Sequence, residues 1–262
     1  MPAGSPAAAG SSVLLDLRHI SHSFGGVRAV DDASLQIATG LITGLIGPNG
    51  AGKSTLLNLI AGSIQSRSGE ILLDGQNIAT WPAHKRALAG IARTFQLSSE
   101  FKRLTVIENM LCGVHLSRGE SLGSALLGPR WWGRAQRDAI DRAVEILTRF
   151  ALDQKGNELA GSLSGGERRL VEIARALMSQ PRVLLLDEPL AGVHPRSAGR
   201  IIDALQSLRD SGVTMVMCLH EPDAVKRACD GVVVMAQGSV IAVGSFDEVR
   251  TNNAVLGAYL GA

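Results

Sequence analysis

Short apolar runs separated by glycine and aspartate dominate the first third of the chain. The segments VLLDLRHIS, ASLQIATG and LITGLIG are apolar or alternating over strand lengths, and EILLDG follows the same pattern, so we predict four β-strands here. From Lys53 the pattern becomes helical in KSTLLNLIAG, and Gly62 provides a stop signal. The sequence therefore predicts a strand-rich beginning in which one strand leads directly into a helix.

The middle of the chain, from about residue 96 to residue 159, has a helical pattern instead. Within it, RAQRDAIDRAVEILTRFA carries apolar residues at helical spacing, which we expect on one buried face: Ile140, Val144, Leu147 and Ala151. This block predicts a helical insertion.

Strands and helices alternate after Gly165. ERRLVEIARALMS predicts a helix, RVLLLD a strand, residues 196–208 a helix and VTMVMCL a strand. GVVVMAQGSVIAVG predicts a hairpin that turns at Gln237 and Gly238. Alternation of this kind is typical of a parallel sheet covered by helices, so the expected fold class is α/β.

Composition and charge narrow the class of protein. The chain has 262 residues, 45% of them apolar, which is enough for one large domain or a core domain with a smaller insertion. The net charge of +2 lacks the strongly basic, clustered footprint of nucleic-acid-binding proteins, so we expect no nucleic-acid partner. Three cysteines without CxxC spacing indicate neither a disulfide framework nor a zinc site.

No segment has the run of about 18 apolar residues that a membrane-spanning helix needs. Residues 1–12, MPAGSPAAAGSS, have no basic region and no sufficient apolar run, so they predict a flexible tail rather than a signal peptide. If the protein works at a membrane, we expect it to act from the surface through partners.

A phosphate-binding loop is predicted at residues 47–55, where GPNGAGKST matches G-x-x-x-x-G-K-[ST] between an apolar strand and a helix. The glycines allow backbone N–H groups to surround a phosphate chain, and the helix N-terminus adds partial positive charge. We expect Lys53 to reach the β and γ phosphates and Ser54 to ligate Mg²⁺. A glycine-rich turn with a surface lysine is the alternative. The candidate residues are Gly47, Pro48, Asn49, Gly50, Ala51, Gly52, Lys53, Ser54 and Thr55.

Two adjacent carboxylates end the apolar strand in RVLLLDEP. At the carboxyl end of a strand, Asp187 can hold Mg²⁺ or its water shell beside Ser54, and Glu188 can polarise an attacking water. The alternative makes Asp187 a helix cap and Glu188 a solvated charge.

Two further residues are candidates for the same site. Gln96 in RTFQL could offer its amide oxygen to Mg²⁺ or orient water, although a lone Gln is more often a surface residue. His220 ends the strand VTMVMCL, so it should lie on the same sheet edge as Asp187 and could hydrogen-bond a γ-phosphate. A structural histidine is the alternative.

In this order, GPNGAGKST, Gln96, LSGGE, LLLDEP and His220 resemble the nucleotide-binding subunit of ATP-binding cassette (ABC) transporters. The resemblance implies an ATPase that binds ATP and Mg²⁺ on a RecA-like core with a mostly parallel sheet, formed by residues 13–96 and 160–262. It also implies an N-terminal antiparallel β subdomain and an inserted α-helical subdomain at residues 97–159.

The resemblance gives roles to residues outside the phosphate-binding loop. Ser164, Gly165 and Gly166 would contact ATP held by a second subunit, although an ordinary N-cap serine is an alternative and both roles can hold together. Phe24 resembles the aromatic residue that stacks on adenine, the alternative being a buried phenylalanine at a strand end. PLAGVHP resembles the segment that crosses between subunits, with His194 where relatives usually carry Asp or Asn.

A narrower resemblance is to the LivG-type ATPases of branched-chain amino acid importers. It rests on GIARTFQLSSEFKRLTVIENMLCGVH, GPRWWGRAQRDAIDRAVEIL and ELAGSLSGGERRLVEIARAL. It implies ATP hydrolysis coupled to uptake of amino acids, with urea or amide import as an alternative. A soluble ABC ATPase acting on chromosomes or ribosomes is disfavoured, because the insertion is short, lacks sustained heptads and accompanies a single cassette.

The implied partners are a second ABC ATPase subunit, identical or different, integral membrane permease subunits and, indirectly, a solute-binding protein. The implied location is the cytoplasmic face of the inner membrane, as a peripheral protein. Phe101, Leu104 and Val106 are apolar candidates for the groove that receives the permease, or for the interior of the insertion.

Overall fold

The computed structural model describes residues 12–94, 101–114 and 129–260, so Gln96 and nearly all of the tail predicted for residues 1–12 lie outside the described residues. The chain divides into two compact units. One is drawn from residues 1–93, 182–191 and 205–262, and the other from residues 94–181 and 192–204. The range 94–181 contains the insertion predicted at 97–159 together with residues on both sides of it, and the predicted domain boundaries stay a prediction.

The strands of the described residues are β1 (Val13–Phe24), β2 (Val27–Ala38), β3 (Ile42–Ile46), β4 (Ser68–Leu73), β5 (Gln76–Asn77), β6 (Ile91–Arg93), β7 (Val183–Asp187), β8 (Thr214–Cys218), β9 (Gly231–Ala236) and β10 (Ser239–Gly244). The helices are α1 (Lys53–Ala61), α2 (Ala83–Leu88), α3 (Val106–Leu111), α4 (Pro129–Arg149), α5 (Gly165–Leu177), α6 (Pro195–Asp210), α7 (Pro222–Ala228), α8 (Phe246–Arg250) and α9 (Asn253–Leu260).

The first unit contains two β-sheets. An antiparallel sheet has the order β2-β1-β4-β5, and a second sheet has the order β10-β9-β3-β8-β7-β6. In the second sheet every neighbouring pair is parallel except β9 and β10, which form an antiparallel hairpin. The predicted α/β fold with an antiparallel β subdomain and a mostly parallel sheet is confirmed.

The predicted hairpin turn is confirmed at Gln237 and Gly238. Both residues have positive φ, 48° and 85°. Two consecutive left-handed residues are the signature of the type I′ turn, whose twist matches that of the strands it joins. The predicted stop of α1 is also confirmed, because Gly62 caps the helix with a φ of 77°.

Burial follows the strand patterns that predicted these sheets. Leu15, Leu17 and Ile20 of β1 are buried, and the four apolar residues that precede Asp187 in β7 are buried on both faces of the sheet. Helix α1 packs into the same core through Leu56, Leu57, Leu59 and Ile60. The helix that follows the phosphate-binding loop is therefore fixed to both sheets of this unit.

The face predicted to be buried in helix α4 of the second unit is only partly confirmed: Leu147 is buried, but Val144 and Ala151 are not part of the buried helix face. Val144 is 44% exposed, and Ala151 lies beyond the helix end with a φ of 53°. The buried residues of the helix are Ala143, Ile146 and Leu147, and Phe150 is buried directly after its last residue. The pattern could not select this face, because apolar residues surround more than half of the helix and packing against α3 and α5 makes the choice.

One cation lies wholly inside the first unit and supports the end of α1. The Arg86 side chain is fully buried and its guanidinium donates to the backbone carbonyls of Leu59, Ile60, Ala79 and Trp81. The carbonyls of Leu59 and Ile60 belong to the last turn of α1, where helical acceptors lack partners. Burial lowers the pKa of Arg86, but the group stays cationic because its ordinary pKa is so high.

We predict that Arg86→Met lowers the free energy of unfolding by about 3 kcal/mol, because several buried carbonyls lose a charged donor together. Chemical denaturation of the full chain measures the change. Lys85→Met, at an exposed position in the same helix, should change stability by about 0.5 kcal/mol or less. Equal effects of the two substitutions would contradict the structural role of Arg86.

Candidate active site

The phosphate-binding loop has a backbone that requires glycine at two positions. Gly47 has a φ of 148°, and a Cβ there would lie 2.0 Å from the carbonyl oxygen of Met235. Gly52 has a φ of 98°, and a Cβ there would lie 2.3 Å from the carbonyl oxygen of Ala29. These close approaches allow the loop to fold back between β3 and α1, which directs the helix N-terminus into its concave side.

Lys53 reaches into the loop that precedes it. Its side chain is buried, and its ammonium group donates to the carbonyl oxygens of Gly47 at 2.7 Å and Pro48 at 2.9 Å. Burial lowers the pKa of Lys53, while the nearby charges of Glu188 and Asp187 oppose that shift. The surface lysine of the alternative interpretation is therefore wrong.

Ser54 and Asp187 meet where the sequence predicted a cation site. The Ser54 hydroxyl donates to Asp187 Oδ1 at 3.2 Å, and the other carboxylate oxygen, Oδ2, accepts from Arg93 at 2.9 Å. The described residues contain no cluster of three or more His, Cys, Asp or Glu side chains that could hold a metal alone. A hydroxyl with one carboxylate fits Mg²⁺, which takes few protein ligands and completes its shell with water and phosphate oxygens.

Cys218 borders the same carboxylate from the next strand. It is aligned with Asp187 in the parallel pair β7 and β8, and its thiol hydrogen-bonds the Asp187 side chain. Burial, with the charge of Asp187, raises the pKa of Cys218, so the thiol stays protonated and can donate. Cys218 is therefore a neighbour of the site rather than a nucleophile.

Glu188 and His220 form a pair at the carboxyl ends of β7 and β8. His220 Nε2 lies 2.7 Å from Glu188 Oε1, and both side chains are partly exposed. Glu188 has a φ of 48°, a left-handed conformation that a non-glycine residue adopts at some energetic cost and that is enriched at functional sites. The prediction that His220 shares a sheet edge with the carboxylates is confirmed.

Phe24 lies at the end of β1 with 53% of its surface exposed, so the buried phenylalanine of the alternative interpretation is wrong. Its ring contacts His22 edge to face, with centroids 4.7 Å apart. An exposed aromatic face is what stacking on a base requires. The role of Phe24 with adenine stays a prediction.

The LSGGE segment lies in the second unit and begins helix α5. Ser164 is the N-cap: its hydroxyl accepts from the Glu167 N–H and donates to the Glu167 carboxylate, which also accepts from the Ser164 N–H. The hydrogen bond from Lys155, with those from Ser164, lowers the pKa of Glu167 to about 2. The N-cap role is confirmed.

The two glycines that follow Ser164 have different surroundings. Gly165 is exposed, and a Cβ there would meet only the far end of Arg168 at 4.0 Å. Gly166 is buried, and a Cβ there would lie 2.5 Å from Cβ of Ser197 in α6. Gly166 therefore allows two helices to pack closely, while Ser164 and Gly165 leave the N-terminal end of α5 accessible to an anion.

His194 takes the N-cap position of α6. Its Nδ1 accepts from the Arg196 N–H at 3.3 Å, and its carbonyl oxygen accepts from Ser197 and Ala198. Asp and Asn cap helices through the same kind of side-chain acceptor. His194 can therefore replace the usual residue at this position as a helix cap.

The sequence analysis missed one residue of the site. Arg93, the last residue of β6, contacts Asp187 and Asn58, yet a single arginine in a three-residue strand has no recognisable sequence pattern.

The three apolar candidates for permease contact in the insertion differ in burial. Val106 is buried in the interior of the second unit, while Phe101 and Leu104 are partly exposed.

Comparison with known proteins gives many relatives of similar length. The chain is 36% identical to the high-affinity branched-chain amino acid transport ATP-binding protein BraF of Pseudomonas aeruginosa, over 96% of this chain and 99% of BraF. It is 37% identical to LivG of Escherichia coli K12, with the same coverage. It is also 36% identical to the lipopolysaccharide export system ATP-binding protein LptB of Escherichia coli K12, over 94% of this chain and 97% of LptB.

Solved structures and a family match agree with the similarity to these transport ATP-binding proteins. A nucleotide-free ATP-binding cassette from an ABC transporter superposes with a TM-score of 0.84 at 34% identity, covering 96% of this chain and all of the other. The ADP conformation of an ATP-binding cassette superposes with a TM-score of 0.83 at 33% identity, again over 96% of this chain and all of the other. Residues 30–191 match the ABC transporter family. The chain therefore belongs to the ABC transporter family, as a cassette that binds and hydrolyses ATP.

Proposed function

We propose that this chain couples ATP hydrolysis to the uptake of amino acids, with branched-chain amino acids as the expected solutes. The observation that carries the proposal is the similarity to BraF and LivG, which extends over 96% of this chain and 99% of each relative. LptB is similar to almost the same degree, so export of lipopolysaccharide is the second candidate function.

The phosphate-binding loop would hold ATP through residues 47–55, with Phe24 against adenine. Lys53 already lies inside the loop, and on binding it would exchange the carbonyls of Gly47 and Pro48 for phosphate oxygens. Ser54 and Asp187 would hold Mg²⁺, with Gln96 as a further oxygen ligand. When bound, Mg²⁺ neutralises charge that develops on the transferred phosphoryl group.

Glu188 would orient and polarise the attacking water, because its carboxylate is an acceptor beside the phosphate-binding loop. His220 donates to this carboxylate through Nε2–H, since an ionised carboxylate only accepts. The histidine therefore fixes the direction of Glu188 and could move to a γ-phosphate oxygen when nucleotide is present.

Ser164, Gly165 and Gly166 would complete the site of a second cassette, either another copy of this chain or a different ATPase subunit. Support comes from the exposed N-terminal end of α5, where backbone N–H groups lack helical acceptors. The Ser164 hydroxyl donates to Glu167, so it would have to turn outward to donate to phosphate.

The remaining partners would be permease subunits in the cytoplasmic membrane and, through them, a solute-binding protein. Among the residues that the structure describes, every helix is too short or too polar to cross a bilayer. Phe101 and Leu104 are the candidates for permease contact, because Val106 is buried in the interior of the second unit. Phe101 lies under the guanidinium of Arg175 in helix α5, 4.6 Å from ring centroid to Cζ, which would connect a docked permease to the helix that begins at the LSGGE segment.

We expect deletion of the gene for this chain to abolish uptake of radiolabelled leucine, and wild-type protein to restore it. Lys53→Ala should fail to restore uptake, because the ATP phosphates lose their buried cation. Normal leucine uptake in the deletion strain, together with failure of lipopolysaccharide transport, would favour the second candidate function.

We expect Glu188→Gln to lower ATP turnover by about 100-fold or more and to trap ATP-bound dimers, because the amide cannot polarise water as a carboxylate does. Size-exclusion chromatography with ATP measures the dimer, and phosphate release measures turnover. Glu70→Gln, at an exposed position of the antiparallel sheet, is the control and should change neither. Unchanged turnover in Glu188→Gln would refute the assigned role.

We expect Ser164→Arg to leave ATP binding to the monomer largely intact while hydrolysis falls sharply, because the serine serves the nucleotide of the partner. Ser245→Arg is the matched control, since Ser245 forms the same capping box with Glu248 at the start of α8. Each substitution removes a cap that contributes about 1 kcal/mol. Equal loss of hydrolysis in both variants, or loss of ATP binding in Ser164→Arg alone, would contradict the inter-subunit role.

A further inference from the structure

We infer that Arg93 is a positioning residue that fixes the spacing between Ser54 and Asp187. The inference rests on the proposal that these two residues hold Mg²⁺, and it assigns a role to a side chain outside the predicted set. Three contacts carry it: Arg93 with Asp187, Arg93 with Asn58, and Ser54 with Asp187.

The guanidinium joins the two elements that present the magnesium ligands. One terminal nitrogen donates to Asp187 Oδ2 at the end of β7, at 2.9 Å, and the other donates to the side-chain oxygen of Asn58 in α1. Asn58 lies four residues after Ser54, so both side chains project from the same face of the helix. Arg93 therefore ties the face of α1 that carries Ser54 to the strand end that carries Asp187.

The two oxygens of the Asp187 carboxylate face different partners, Arg93 and Ser54, and the Cys218 thiol is a further donor to the same side chain. Arg93 occupies Oδ2, and Oδ1 faces the Ser54 hydroxyl at 3.2 Å. An unconstrained carboxylate could rotate or bind a cation through both oxygens. With Oδ2 held by Arg93, Oδ1 is the oxygen directed at the place beside Ser54, where it would be available to a cation that takes few protein ligands.

The ion pair between Arg93 and Asp187 is buried, which restricts the positions that the two side chains can take. The side chains of Arg93 and Asp187 are 11% and 9% exposed, so the ion pair is largely shielded from water, and Lys53 is a second cation near Asp187. Arg93 Nε is buried and has no hydrogen-bond partner among the described residues. The guanidinium therefore satisfies Asp187 and Asn58 with its terminal nitrogens and leaves its third nitrogen unpaired, so its position follows those two partners.

Arginine rather than lysine fits this role. A planar guanidinium presents donors in fixed directions and can hold two acceptors on different elements at once. A lysine ammonium could still compensate the charge of Asp187, but it is a single point on a flexible chain. Substitution by lysine therefore separates compensation of charge from control of spacing.

The test is thermal unfolding of the full chain with a non-hydrolysable ATP analogue, first in EDTA and then with increasing Mg²⁺. In the wild type, Mg²⁺ should raise the melting temperature. Arg93→Gln should lower the melting temperature in EDTA by several degrees, because the buried Asp187 carboxylate loses the charged donor at Oδ2. It should also raise the Mg²⁺ concentration for half of the stabilisation about 10-fold or more, as loss of a residue that orients a metal ligand does.

Arg93→Lys should recover most of the melting temperature in EDTA but keep the raised Mg²⁺ requirement. Arg182→Gln is the control: its exposed ion pair with Asp74 lies at the opposite end of β7, so neither measure should change. A wild-type or lower Mg²⁺ requirement in Arg93→Gln, or full recovery in Arg93→Lys, would overturn the positioning role. No Mg²⁺ effect on the wild type would instead refute the magnesium site itself, and the role of Arg93 with it.

Discussion

Parallel pairing of β3, β7 and β8 is the constraint on which the candidate site depends. Leu45 of β3 and Asp187 of β7 are both aligned with Cys218 of β8, so all three strands end at one edge of the sheet. The phosphate-binding loop, the two carboxylates and His220 follow those ends directly. Ligands bind at the carboxyl ends of strands in sheets of this kind, since only there do loops from different strands converge.

These loops bring charged side chains together at the sheet edge, where Lys53 and Asp187 are buried and Glu188 is partly exposed, and each of the three has a hydrogen-bond partner. Lys53 uses backbone carbonyls of its own loop, Asp187 accepts from Ser54 and Arg93, and Glu188 meets His220. An unpaired buried charge would cost several kcal/mol, so these contacts are part of the fold as well as part of the chemistry. Nucleotide and Mg²⁺ would replace some of these contacts with equivalent ones.

The LSGGE segment is held in position by helix capping and close packing. Its position depends on a helix N-terminus, fixed by the capping box between Ser164 and Glu167 and by close packing at Gly166. The same box begins α3 and α8, at Thr105 and Ser245, so the capping itself has no specific function. What distinguishes Ser164 is the exposed glycine beside it and the helical unit that carries it.

The sequence by itself determined most of this protein, because strand alternation, glycine stops and the order of the motifs are local properties of the chain. It predicted both sheets, the turn at Gln237 and Gly238, the cradle around Lys53 and the meeting of Asp187 with Ser54. Tertiary structure alone decided which apolar residues of α4 are buried, since the neighbouring helices cover Ala143, Ile146 and Leu147 and leave Val144 exposed. It also decided the contacts of two arginines. Arg86 is buried against the end of α1, and Arg93 contacts both Asn58 and Asp187. Their partners are distant in the sequence, so only packing brings them within reach.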